Sequence, residues 1–144
     1  MNVPTTIDRK TNTLSFFRTF NVPCEEVFEA WTKPDQISEW WDPSGTRLAD
    51  CKIDLRVGGA FSFTNASGHS PPFAGVYCEV TRPHRLVFEA MGALGTVLLE
   101  TTGEGTRMTV TIRCSSKEHL EQFIKLGVDV GTDKTFDNLV AFLA

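Results

Sequence analysis

The chain has 144 residues, and 18 acidic against 14 basic side chains give it a net charge of −4 with histidine neutral. That length fits one domain over residues 1–144, and the acidic balance excludes the basic stripe with which nucleic-acid binders neutralise phosphates. A hydrophobic content of 41%, with 11 Phe and 3 Trp, supplies a core and excludes disorder, while no apolar run approaches the ~18 to 20 residues that span a bilayer.

Met1 to Lys10 is polar and charged with no apolar segment behind it, so no secretory signal is expected, the compartment is the cytoplasm, and residues 1–12 are frayed. Thr13 to Phe20 reads as a strand, with Leu14, Phe16 and Phe20 on one parity and Arg18 sharing it. After Pro23, Cys24-Glu25-Glu26 places acids in a first helical turn, where they complement the helix dipole. Val27, Phe28 and Trp31 form the stripe of this short helix, and Lys33-Pro34 ends it. A second short helix, about Asp35 to Trp41, carries Ile37, Trp40 and Trp41 and closes at Asp42-Pro43-Ser44-Gly45.

The period then switches from 3.6 to two. Ala49, Cys51, Ile53, Leu55 and Val57 alternate with Leu48, Asp50, Lys52, Asp54 and Arg56, as a sheet with one wet face requires. Gly58-Gly59 breaks the run before Phe61 and Phe63 resume it, which predicts a hairpin. Those glycines lack GxGxxG or Gly-Lys-Ser/Thr context and precede a strand, so they are not a phosphate loop. Asn65 to Pro72 is a loop. Further strands follow over Phe73 to Thr81, Arg85 to Met91, about Gly95 to Thr101, and Arg107 to Cys114, with connections too short for crossover helices. Ser115 with Glu118 matches a capping box, and Leu120, Phe123, Ile124 and Val128 continue a helical stripe that Gly127 and Gly131 interrupt. From Val128 to Leu143, Phe136, Leu139, Val140 and Leu143 share one face.

Cys24, Cys51, Cys78 and Cys114 are widely separated, as are His69, His84 and His119, so neither zinc spacing nor a disulfide framework is present. Cys24 sits where a helix dipole favours a thiolate, with no histidine near it in sequence to serve as a base. The three histidines are expected to face water, and Glu79, Glu89 and Glu100 to lie on a solvated face. No GxSxG or HExxH string occurs. No catalytic residue, metal or cofactor is assigned.

The order is strand, two short helices, about six strands, then a long terminal helix. An antiparallel sheet with one apolar face must cover it, and only the terminal helix is long enough. This order, with Val27-Phe28-Glu29-Ala30-Trp31-Thr32-Lys33-Pro34, Trp40-Trp41-Asp42-Pro43-Ser44-Gly45, Asp54-Leu55-Arg56-Val57-Gly58-Gly59-Ala60-Phe61, Gly75-Val76-Tyr77-Cys78-Glu79-Val80, Pro83-His84-Arg85-Leu86-Val87-Phe88, Gly105-Thr106-Arg107-Met108-Thr109 and Asp137-Asn138-Leu139, resembles the START/SRPBCC superfamily. The nearer resemblance is to the branch homologous to the C-terminal domain of the activator of heat-shock-protein-90 ATPase. The resemblance implies an α+β helix-grip fold: a curved antiparallel sheet of about six to seven strands wrapped around a long C-terminal helix, with two short helices after the first strand. The eukaryotic co-chaperone has an additional N-terminal domain for which 144 residues leave no room, so chaperone activation does not carry over with the family name.

Such an arrangement leaves a hollow between sheet and helix. The residues expected to line it are Trp40, Trp41, Phe61, Phe63, Val76, Tyr77, Phe88, Val97, Val110, Phe136 and Leu139, with Met108 also facing inward. Trp40 and Trp41 are read as core packing, with one of them at the mouth. Tyr77, Glu79 and Arg18 are the polar groups available to orient a guest, although strand parity sets Tyr77 and Glu79 opposite Val76 and Val80, and alternation alone leaves that face open. The expected function is non-enzymatic carriage or sensing of a small hydrophobic molecule, a lipid or aromatic metabolite, by a monomer or weak homodimer. A cyclase- or hydrolase-like enzyme using the same cavity and a chaperone-associated interaction module are the alternatives.

Overall fold

The switch from a helical to a two-residue period and back is realised as twelve elements. In the computed structural model, which describes residues 5–68 and 71–144, they are β1 (Thr6–Asp8), β2 (Thr13–Phe20), α1 (Cys24–Thr32), α2 (Pro34–Trp40), β3 (Asp50–Ile53), β4 (Ala60–Thr64), β5 (Phe73–Thr81), β6 (Arg85–Ala90), β7 (Ala93–Thr102), β8 (Gly105–Arg113), α3 (Lys117–Lys125) and α4 (Val128–Phe142). His69 lies outside the described residues. All eight strands form one antiparallel sheet in the order β1-β2-β8-β7-β6-β5-β4-β3, one strand more than the upper expectation. The addition is β1, which pairs Thr6, Ile7 and Asp8 with Ser15, Leu14 and Thr13 where a frayed start is expected. Its three exposed residues carry no alternation to read.

The inner face of the sheet is built in rows that cross strands. Phe16, Val110, Val97, Leu86 and Val80 are successive register partners from β2 to β5, and the first four are almost wholly buried. The next row, Leu14, Ile112, Gly95, Phe88 and Tyr77, has a glycine at its centre. The row beyond it runs Ala93, Ala90, Gly75 and Phe61. Small side chains in two adjacent rows leave the sheet shallow at one place, and α4 passes over it.

α4 is seated by polar contacts at both flanks. Arg18, only 6% exposed, sends one guanidinium nitrogen to the Asp133 carbonyl, the Asp133 carboxylate and the Asp137 carboxylate at 3.1 to 3.2 Å. On the other flank the Thr135 hydroxyl donates to the Trp41 carbonyl at 2.9 Å, and the Asn138 amide donates to the Asp42 carbonyl at 3.0 Å.

One strand departs from expectation. The predicted strand through Val57 stops at Ile53: the Arg56 N–H turns back to the Asp54 carbonyl and the Gly58 N–H reaches the Tyr77 carbonyl at 2.7 Å, so residues 54–59 leave the β3–β4 ladder as a loop. The terminal helical stretch, by contrast, breaks where its glycines predict, at Gly127, into two helices. Gly127, at φ +77°, ends α3 by donating to the Ile124 carbonyl and starts α4 by accepting from Gly131 N–H, a backbone conformation that favours glycine. The cap of α3 is Ser116, whose hydroxyl accepts from His119 N–H at 3.1 Å, not Ser115.

Candidate functional site

The shallow place in the sheet becomes a cavity of about 270 Å³. Its floor is Val110, Ile112, Gly95, Ala93, Ala90 and Phe88 of β8, β7 and β6, with Phe73 of β5 at one side. Its roof is Val128, Gly131, Thr132, Thr135 and Phe136 from the first half of α4, together with Phe123 of α3. Trp31, Trp41 and Pro43 close the end nearest α2. Met91, 59% exposed and at φ +54° in the β6–β7 turn, stands at the mouth.

Glycine is required at position 95 by what lies against it. A β-carbon there would sit 2.5 Å from Cζ of Phe88, so the Phe88 ring lies flat over the gap. At Gly75 a β-carbon would meet the Glu89 backbone carbonyl at 2.1 Å and Cζ of Phe61 at 2.7 Å, so glycine is required there by the neighbouring strand as well as by the ring. Phe61 and Phe88 then meet edge to face with centroids 5.6 Å apart.

None of the lining residues is ionisable. The polar side-chain groups of the lining residues are two hydroxyls and two indole N–H groups: the Thr135 hydroxyl is committed to the Trp41 carbonyl and the Trp31 N–H to Met108 Sδ, leaving the Thr132 hydroxyl and the Trp41 N–H without a hydrogen bond among the described residues. A second void of about 10 Å³ lies deeper, lined by Ile37, Phe61, Phe63, Tyr77 and Leu86, and it shares Trp31, Trp41, Phe73 and Phe88 with the first. Burial pushes the Tyr77 phenol far above its ordinary titration range, with a smaller push in the same direction from Cys51. The Cys51 thiol is itself raised, chiefly by burial.

The expected lining residues separate accordingly. Trp41, Phe88, Val110 and Phe136 face the main cavity, and Phe61, Phe63 and Tyr77 face the inner void. Trp40, Val97 and Leu139 are fully packed core, Trp40 donating its indole N–H to the Ala30 carbonyl at 3.1 Å. Val76 is a correction: it is 40% exposed on the outer face, because Phe73, Gly75 and Tyr77 point inward on β5. A bulge between Tyr77 and Glu79 inserts one residue, so Tyr77 and Val80 both meet the inner face despite opposite parity. Glu79 faces out, accepting from Arg85 at 3.1 Å, and Arg18 is inward but committed to α4.

Phe73, Gly95, Ala90, Ala93, Phe123 and Thr135 were not anticipated. Their signal is register, which single strands do not display: small residues opposite one another on β6 and β7. His119 also differs from expectation. It is half-buried against Phe123, with centroids 4.5 Å apart, and accepts the Ser115 N–H at Nδ1, so Nε2 donates to the Met91 carbonyl at 3.1 Å and ties α3 to the mouth. Cys24 is buried with its Sγ against the Thr101 and Thr106 hydroxyls, and all four cysteines are free. Among the described residues no group of His, Cys, Asp and Glu could hold a metal ion, and no helix is long and apolar enough to cross a membrane.

Residues 21–144 match the family model described as "Activator of Hsp90 ATPase homolog 1-like protein". Among solved structures, protein NE0264 from Nitrosomonas europaea is 26% identical at a TM-score of 0.84, covering 95% of this chain and 96% of that one. A protein from Arthrobacter aurescens is 21% identical at a TM-score of 0.85, covering 99% and 92% respectively. CalU16 from Micromonospora echinospora is 23% identical at a TM-score of 0.68, covering 92% and 76%. No curated protein matches the chain.

Proposed function

The chain belongs to the family of activator of Hsp90 ATPase homolog 1-like proteins, and from that premise we propose that it binds a small hydrophobic molecule between its sheet and α4, as a cytoplasmic carrier or sensor. The observation that carries this reading is the cavity of about 270 Å³ with a lining free of ionisable groups. An apolar cavity of roughly 150 Å³ takes up benzene, so the space suits a bicyclic aromatic or a short acyl chain. Binding comes from removing apolar surface from water, at ~25 cal/mol per Å². A guest burying roughly 300 Å² gains about 7.5 kcal/mol before ordering costs, which sets micromolar affinity as the upper end. The lining offers hydroxyls but no general acid or base, which favours binding over acid–base chemistry in this cavity.

The test is thermal unfolding against a panel of neutral aromatics and short acyl esters, in wild type and Gly95→Ala. The added methyl drives the Phe88 ring off the sheet and into the cavity. Wild type is expected to gain several degrees in Tm with at least one class of compound, and Gly95→Ala to lose about tenfold in affinity, while its own stability falls by about 1 to 3 kcal/mol. A panel that stabilises neither protein overturns the reading.

A further inference from the structure

The register row that floors the cavity, Ile112–Gly95–Phe88, continues into Tyr77, the direct cross-strand partner of Phe88. Tyr77 is only 3% exposed, and its hydroxyl, which keeps what accessible surface it has, makes no hydrogen bond to another described residue. Among the described residues that line the inner void Tyr77 carries the only hydroxyl, a donor with no protein acceptor to compete with an arriving one. The void beside it, about 10 Å³, has room for about one polar atom and not for a ring. The larger cavity, at about 270 Å³, has room for the rings. The side chains of Trp31, Trp41, Phe73 and Phe88 line both and form the partition between them.

Resting on the binding reading above, we propose that Tyr77 is the polar recognition group of the site and that the ligand is an uncharged aromatic molecule carrying a carbonyl acceptor, a ketone or ester, which enters the inner void. The phenol O–H donates and the ligand oxygen accepts. An anionic ligand is disfavoured, because neither void is lined by a cation and an ionised carboxylate would be stripped of water without a partner.

The experiment titrates the full chain with 2-acetylnaphthalene, 2-ethylnaphthalene and 2-naphthoate by quenching of tryptophan fluorescence, in wild type and Tyr77→Phe. Wild type is expected to bind the ketone about tenfold more tightly than the ethyl compound and to bind naphthoate at least about a hundredfold more weakly than the ketone. Tyr77→Phe deletes one oxygen and is expected to erase the ketone preference while leaving ethylnaphthalene affinity within about twofold. A second measurement needs no variant: the infrared carbonyl stretch of bound 2-acetylnaphthalene is expected to fall below its value in hydrocarbon solvent. A ketone preference unchanged in Tyr77→Phe, or an unshifted carbonyl stretch, overturns the assignment to Tyr77 while cavity binding stands. Failure of all three compounds to bind wild type overturns both.

Discussion

Tyr77 gives the interior a titration signature. Burial, with Cys51 adding to it, holds the phenol neutral in the folded chain, whereas in the unfolded chain it ionises near its ordinary value of about 10. A raised folded value means that its contribution to stability is full below about pH 10 and is lost as pH rises from there through the folded value. Urea unfolding is therefore expected to show wild type losing stability relative to Tyr77→Phe between about pH 9 and about pH 11; a difference that stays constant contradicts an interior hydroxyl. The facing of this residue was not legible from its neighbours. Phe73, Val76, Tyr77 and Val80 put apolar groups on both parities of β5, and Val80 does face inward. The bulge after Tyr77 is what allows Val76 to point out.

At the level of elements, β2 and β5 have the bounds expected of them, Thr13 to Phe20 and Phe73 to Thr81, and α1 begins at Cys24 as its acidic first turn indicates. Ends set by a single hydrogen bond were less legible, since Ser115 and Ser116 offer the same hydroxyl and only the bond to His119 N–H separates them. Ser116→Ala is expected to destabilise α3 locally by about 1 kcal/mol, seen as roughly fivefold faster amide exchange over residues 120–125 with the β7 and β8 amides unchanged. Equal acceleration in sheet and helix would show that α3 opens only with the whole molecule. Because Phe123 roofs the cavity and His119 holds Met91, a looser α3 is also expected to speed ligand exchange without changing which ligand binds.

For the molecule as a whole, the antiparallel pairing of successive strands was legible from connections too short for a crossover helix, and the covering helix because an apolar sheet face has to be buried; the closure of β2 against β8 was not. The size of the cavity was not, since it is set by which small residues become register partners across β6 and β7. An interior void of this size has a mechanical signature. Pressure unfolding is expected to show a volume decrease near the large end of the usual range, about 100 mL/mol, shrinking when a ligand occupies the cavity or when Gly95→Ala fills it. A volume change indifferent to both would mean that the space collapses in solution. The hollow is written as omissions, a hydrogen at position 95 and methyls at 90 and 93, on an otherwise ordinary scaffold. Restoring carbons at these three positions, one at a time, is therefore the route by which the volume of the hollow changes with no strand to re-pair and no helix to re-seat.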